Sequence, residues 1–482
     1  MNINSISAFF PEIILTLFTV IILISGLYRT IAKASWWIGC FAVLFVLVFI
    51  VRNYSLILTD GAVILGGLSN DPINLLMKLI VLCFSMLILI FYGGMTRVVM
   101  NKGALGAENQ AKIWYHGQHE FVVVILLATI GAMITISARN FLFLYIALEL
   151  MALSSYVLAS YDRDKLISTE AGMKYFILGS LASCIMIFGM SFVYGFSGSL
   201  SFLKIHDLLT SGFYSAGLIA GIFILLIGIL FKLSIVPFHF WTPDIYQGSP
   251  LISVAFFSSI PKFAVLCALI NIINFVILDI HAIWYKFFIA LSLLSMIVGA
   301  FGAIIQKSFK RMVGYSAILN LGFVLLALST GTTEGYVAAL MYQILYAVSS
   351  IGLFAILTMT IDPSSEDYPI SALAGFGAVK KLAAFTISVF MFSFVGIPPM
   401  AGFFAKFYVI SAAIDNHFYI AALIALLTTV VSAFYYINVV KVMYFMTPIE
   451  SQVRLNESSA LGFVISICAS ITIFLPIIQH IF

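Results

Sequence analysis

Four charged residues stand inside stretches that are otherwise almost wholly apolar: Glu149 in FLFLYIALELMALSSYVLASY, Lys232 in ILFKLSIVPFHFW, Lys262 in SSIPKFAVLCAL and Lys406 in GIPPMAGFFAKF. At the centre of a membrane helix each costs about 2.5–3.5 kcal/mol, so together on the order of 10 kcal/mol opposes their insertion. A chain that only fills a bilayer gains little from such a set. With one acid against three lysines, at least two amines lack a carboxylate from this chain. An ion pair between Glu149 and Lys232 that fixes helix register accounts for only one of them. Desolvation drives an unpaired buried lysine toward its neutral form, and an amine that takes up and releases a proton near neutral pH is what a proton relay requires.

Two further residues join the set by position. His239 follows Lys232 by seven residues, two turns along one face of an intact helix, although Pro237 unwinds the chain there. Lys174, in STEAGMKYFILGS, sits one turn inside its apolar run, where a proton carrier and a snorkelling side chain are equal alternatives. Lys262 follows Pro261, a second expected distortion that lets water reach the amine. Lys78 and Lys441 lie near helix ends and read as snorkelling, with no role. His116, His119, His206, His281, His417 and His480 fall in loops or near helix ends and read as solvated.

The elements that must position these groups are membrane helices. Of 482 residues, 63% are hydrophobic and 9% charged, which excludes a water-soluble domain. Fourteen continuous apolar runs of about twenty residues lie between residues 9 and 481, each long enough to cross a hydrocarbon core. Barrel strands would be short and alternating, so the fold class is an all-α integral membrane protein. Two runs are interrupted by proline, one by Pro237 and the other by Pro398 and Pro399. They stand five helices apart and therefore run in opposite directions, as in inverted five-helix repeats (helices 4–8 and 9–13) with broken helices 7 and 12. The chain reads as a single membrane domain: three N-terminal helices in 1–118, one repeat in 119–278, the second in 279–446 and a last helix in 447–482.

One set of alternate connections holds thirteen basic residues: Arg29, Lys33, Arg97, Lys102, Lys112, Arg163, Lys165, Lys307, Lys310, Arg311, Lys380, Lys381 and Arg454. The other holds four: Arg52, Arg139, Lys204 and Lys286. Positive charge collects on the cytoplasmic side, so both termini belong on the opposite, periplasmic face. The net charge of +4 is absorbed by this pattern and implies the lipid bilayer, with no nucleic acid, as the partner. The N-terminus lacks a basic n-region and cleavage site, so its first apolar run reads as a retained helix. Five cysteines are scattered singly, with no CxxC pair to hold zinc or an iron–sulfur cluster. No phosphate loop, dinucleotide fingerprint or hydrolase elbow is present, which removes support for ATP-driven pumping.

Glu149 on the fifth helix, Lys232 on the broken seventh, Lys262 on the eighth and Lys406 on the broken twelfth resemble the pattern of the antiporter-like family. Its members are the large proton-pumping subunits of respiratory complex I and the large subunits of multisubunit sodium/proton antiporters. The likeness covers essentially the whole chain. A lysine at 406, where several members place a glutamate, and an end after the fourteenth helix point toward the complex I branch. The resemblance implies that Glu149, Lys174, Lys232, His239, Lys262 and Lys406 line a proton path. It implies an adjacent antiporter-like subunit and small membrane subunits as partners in a bacterial inner membrane. It also implies that NADH, FMN, iron–sulfur clusters and quinone bind to other subunits, with no cofactor or metal held here.

Overall fold

A computed structural model of the chain describes residues 8–28, 34–58, 67–103, 118–212, 215–360, 368–447 and 458–479. Arg29, Lys33, Lys112 and Arg454, which weigh in the orientation argument, lie outside these residues, as do His116 and His480. Among the described residues nine helices are long and apolar enough to cross a bilayer, and five shorter apolar helices accompany them. The only extended pairings described are isolated bridges. Continuous apolar sequence gives this result because hydrocarbon offers no partner for a backbone amide, and a helix satisfies its own.

The chain divides into two compact units. The first comprises Met1–Leu158, Phe176–Lys232 and Ile260–Ile280; the second comprises Ala159–Tyr175, Leu233–Ser259 and His281–Phe482. The longer helices in chain order are α1 (Phe10–Ser25), α2 (Ser35–Arg52), α3 (Pro72–Gly103), α4 (Gln118–Ser137), α5 (Phe141–Ala159), α6 (Leu166–Ser197) and α7 (Phe202–Thr210). They continue as α8 (Ala216–Lys232), α9 (Trp241–Gly248), α10 (Leu251–Ile272), α11 (His281–Ile304) and α12 (Phe309–Ser329). The last are α13 (Thr333–Thr360), α14 (Lys381–Val395), α15 (Ala401–Asp415), α16 (Tyr419–Phe445) and α17 (Ser459–Gln479).

In the first unit α1 packs on α2 and α4, and α3 packs on α2 and α4. The outward faces of α1 and α2 present Leu17, Ile21, Trp37 and Phe41, a surface suited to lipid. Asn140 opens α5 by accepting the Leu142 amide on its side-chain oxygen at 2.8 Å. The amphipathic α7, with Phe202, Ile205 and Leu209 buried, occupies a stretch that reads as a linker in the sequence. Helix α10 runs unbroken through Pro261, so the distortion expected there does not interrupt it.

In the second unit α11 and α12 form the most extensive helix pair, α13 packs on α15 and α17, and α14 packs on α16. Helix α12 is buried nearly along its whole length. That is why its polar residues, Ser316 and Asn320, find partners inside the protein. Both proline-interrupted runs are indeed broken. One helix ends at Lys232 and the next begins at Trp241; another ends at Val395 and the next begins at Ala401.

Candidate functional site

In the first unit Glu149 lies mid-way along α5, and α8 is apolar throughout until Lys232 closes it. Lys232 Nζ donates to Glu149 Oε1 at 3.2 Å, and Ser183 Oγ from α6 donates to the same oxygen. The carboxylate is 22% exposed and the lysine 10%, so the pair is reached from the flank of this unit. Two donors, an amine and a hydroxyl, thus converge on one carboxylate oxygen, a charge-assisted arrangement that fixes the geometry of the pair. Lys262, on α10, is 1% exposed. Its neighbour in sequence, Phe263, meets Phe84 edge-on at 5.7 Å and packs this stretch of α10 inside the first unit.

In the second unit Lys406 shows where a buried amine goes when no carboxylate is at hand. Its Nζ donates to the carbonyls of Phe394 and Val395 at 2.9 and 3.0 Å. Helix α14 stops there: Gly396, at φ +86°, closes it in the left-handed region and returns its amide to Phe392 and Ser393. The carbonyls of Phe394 and Val395 are thus left at the negative end of a half-helix inside the membrane. Such a terminus attracts a cation. The face of Phe323 lies 5.3 Å from the same nitrogen. A Cβ at Gly396 would stand 3.1 Å from the Lys406 stem, and one at Gly402 would collide with the Ser393 carbonyl oxygen. The two glycines let the broken ends and the lysine share one place. A cavity of about 20 Å³ beside Lys406 is lined by Asn320, Tyr342, Tyr346, Ser349 and Ser393, enough for one water.

His239 sits in the stretch between α8 and α9, 7% exposed, with its carbonyl accepting the Thr242 amide at 3.0 Å. Freed backbone and hydroxyl groups around it find partners: the Val236 amide donates to Ser295 Oγ at 3.0 Å, and Thr242 Oγ1 donates to Ser234 Oγ at 2.6 Å. Lys174 is the most open member of the predicted set at 45% exposed. It pairs with Glu170 at 2.7 Å and with Asp244 of α9 at 3.2 Å, and Asp244 also takes Arg311 at 2.6 Å. Exposed pairs of this kind contribute about 0–1 kcal/mol each. Lys174 therefore belongs to a surface ion-pair cluster that joins α6, α9 and α12.

Four expectations are corrected here. Lys78 does not snorkel: it is fully buried, with Nζ on Glu12 Oε1 at 2.5 Å and on Asn70 Oδ1 at 2.6 Å. Helices α1 and α3 both carry the charge close to their starts, so opposite charges meet at one depth. Lys310 is not a solvated loop residue either. It lies 3% exposed in the first turn of α12, donates to the Ser249 carbonyl at 2.9 Å and faces the Tyr368 ring at 4.7 Å. Among the histidines read as solvated, His206 is 3.4 Å from Asp279, and His281 reaches the Ser329 carbonyl at 3.2 Å and stacks on Tyr285. Arg139, counted as a loop residue, is buried against Asp71 and Phe275.

Comparison with known proteins decides the kinship. The family described as NADH:quinone oxidoreductase/Mrp antiporter, transmembrane, matches residues 138–432, the segment that contains Glu149, Lys174, Lys232, His239, Lys262 and Lys406. This chain belongs to that family. It is 46% identical to NADH-quinone oxidoreductase subunit N of Rickettsia felis over 69% of this chain and 72% of that protein. It is 38% identical to NADH-quinone oxidoreductase subunit N 1 of Rhizobium meliloti over 92% of this chain and 90% of the relative. Among solved structures, a chain of respiratory complex I from Thermus thermophilus with bound aureothin superposes with a TM-score of 0.78 at 26% identity, covering 98% of this chain and 97% of that one.

Proposed function

We propose that this chain serves as the proton-translocating membrane subunit N of an NADH:quinone oxidoreductase, a translocase that moves protons while partner subunits carry electrons. The observation that carries this reading is the Lys232–Glu149 pair on the flank of the first unit, a charge pair that a neighbouring subunit is able to load or unload. Weakening the pair releases the Lys232 proton. His239, Lys262 and Lys406 follow in order, and Lys406 discharges toward the outer face. Moving one proton against 100 mV requires about 2.3 kcal/mol, within reach of making or breaking a partly buried ion pair. Lys174 joins the path only as a surface acceptor, because its cluster with Asp244 and Arg311 is half open.

The finer architecture follows from the same reading: fourteen membrane helices, inverted five-helix repeats at 119–278 and 279–446, and both termini on the periplasmic side of a bacterial inner membrane. The partners are an adjacent antiporter-like subunit and small membrane subunits. NADH, FMN, iron–sulfur clusters and quinone belong to other subunits. A cation/proton antiporter subunit is the alternative, since the family includes Mrp members; Lys406 in place of an acid favours the first reading. Inverted membrane vesicles from cells lacking this chain are expected to lose NADH-driven acidification and to regain it when the chain is restored. Sodium-dependent proton exchange that persists without quinone reductase activity would support the antiporter instead.

A further inference from the structure

The second unit holds a buried polar chain that the row of lysines does not use. Tyr342 on α13 donates its hydroxyl to Asn320 Oδ1 at 2.7 Å, Asn320 Nδ2 donates to Ser316 Oγ at 3.3 Å, and Ser316 Oγ shares a short hydrogen bond with the Tyr436 hydroxyl of α16. Tyr346 lies among Ser316, Asn320 and Ser350, and its ring rests 5.4 Å from Phe394. Tyr435 abuts Tyr436 with ring centroids 4.3 Å apart. Every member is buried, and Asn320, Tyr342 and Tyr346 also line the water-sized cavity at Lys406.

The chain has a direction. From the Lys406 cavity it steps from Asn320 one turn back to Ser316, toward the start of α12, where Lys307, Lys310 and Arg311 stand. Those residues mark the basic, inner end of the unit. Seven residues separate Ser316 from the start of α12, so the hydroxyls reach to within about 10 Å of the inner end. A structural purpose alone requires each group to be satisfied, but a hydroxyl cluster that ends on a half-helix carbonyl cage and a cation does more than satisfy itself.

We infer that Ser316, Tyr346 and Tyr436, held in place by Asn320, form an inner-side proton wire that loads Lys406 directly, independently of the row through Lys232 and Lys262. This rests on Lys406 being a proton carrier. When the Lys406 amine is neutral it accepts a proton from the cavity water, the water draws one from the Tyr346 hydroxyl that lines the cavity, and Tyr346 draws one from the Ser316 hydroxyl beside it. Ser316 in turn draws one from Tyr436, which is refilled from the inner side. Each oxygen gains one proton and gives one up, so no group keeps a charge and one proton arrives on Nζ. Asn320 orients the hydroxyls and does not itself relay, because an amide passes a proton only through a costly tautomer.

The test is a double-mutant cycle in the assembled, vesicle-reconstituted complex, read as protons moved per NADH oxidised at equal assembly. Tyr436→Phe and Ser316→Ala each remove one hydroxyl and little else, and both are expected to lower the ratio, though by less than Lys406→Ala does, because the row through Lys262 still reaches Lys406. Added to Lys406→Ala, neither lowers it further. A hydroxyl that serves packing alone would lower the ratio again in the Lys406→Ala background, which overturns the wire. So does a normal ratio in both hydroxyl variants when Lys406→Ala is impaired. A normal ratio in Lys406→Ala itself instead sinks the reading of Lys406 as a carrier.

Discussion

Lys232→Ala is expected to abolish this subunit's share of proton pumping in reconstituted vesicles while the complex still assembles. The amine is the only cation on Glu149 among the described groups, and it is 10% exposed beside a carboxylate that is 22% exposed and also held by Ser183. Removing it leaves Glu149 with one donor and some access from the flank, so folding survives where transport does not. Lys232→Arg separates two roles of the charge. A guanidinium keeps the pair but does not deprotonate in proteins, so pumping stays lost if the amine must release its proton. Normal pumping in Lys232→Arg would show that only a fixed charge is needed, and normal pumping in Lys232→Ala would remove this residue from the path.

Glu12→Ala is expected to damage the protein more than any change in the row itself. Lys78 is fully enclosed with its amine on Glu12 and Asn70, and Asn70 in turn donates to the Ala8 carbonyl at 2.6 Å. Removing one partner of a buried pair leaves an uncompensated charge and costs about 3–5 kcal/mol. The amount of assembled complex in membranes and its melting temperature in detergent should both fall. Glu12→Leu combined with Lys78→Met removes both charges together and should recover most of the loss. Equal loss in the single and double variants would mean that the pair contributes shape and not charge.

The row was legible in the sequence because a charged side chain in an apolar helix is conspicuous by cost alone. Glu149, Lys232, Lys262 and Lys406 stand out without any knowledge of their partners. The partner of Lys406 was not legible: a backbone carbonyl has no letter, and only the prolines and Gly396 hint that two carbonyls are set free there. Glu12 and Lys78 are separated by 66 residues, and a pair across that distance leaves no periodic trace. Their like position near the starts of two helices was the available signal. Lys310 misled for a related reason, since a basic residue at a helix start looks the same whether it meets water or the Ser249 carbonyl. Helix α7 was readable from Phe202, Ile205 and Leu209 at i, i+3 and i+7, but its nine residues are too few to register as a span.

The central claim is that the buried charges exist to carry protons. It is tested most directly by the number of protons moved per NADH oxidised when Glu149 is replaced by Gln and Lys232, Lys262 and Lys406 by Met in one chain. Removing charges lowers the cost of insertion, so this variant is expected to assemble. The account predicts that the ratio falls and that the share of vesicle acidification owed to this subunit disappears. An unchanged ratio in a fully assembled complex would contradict it and leave the chain a membrane scaffold.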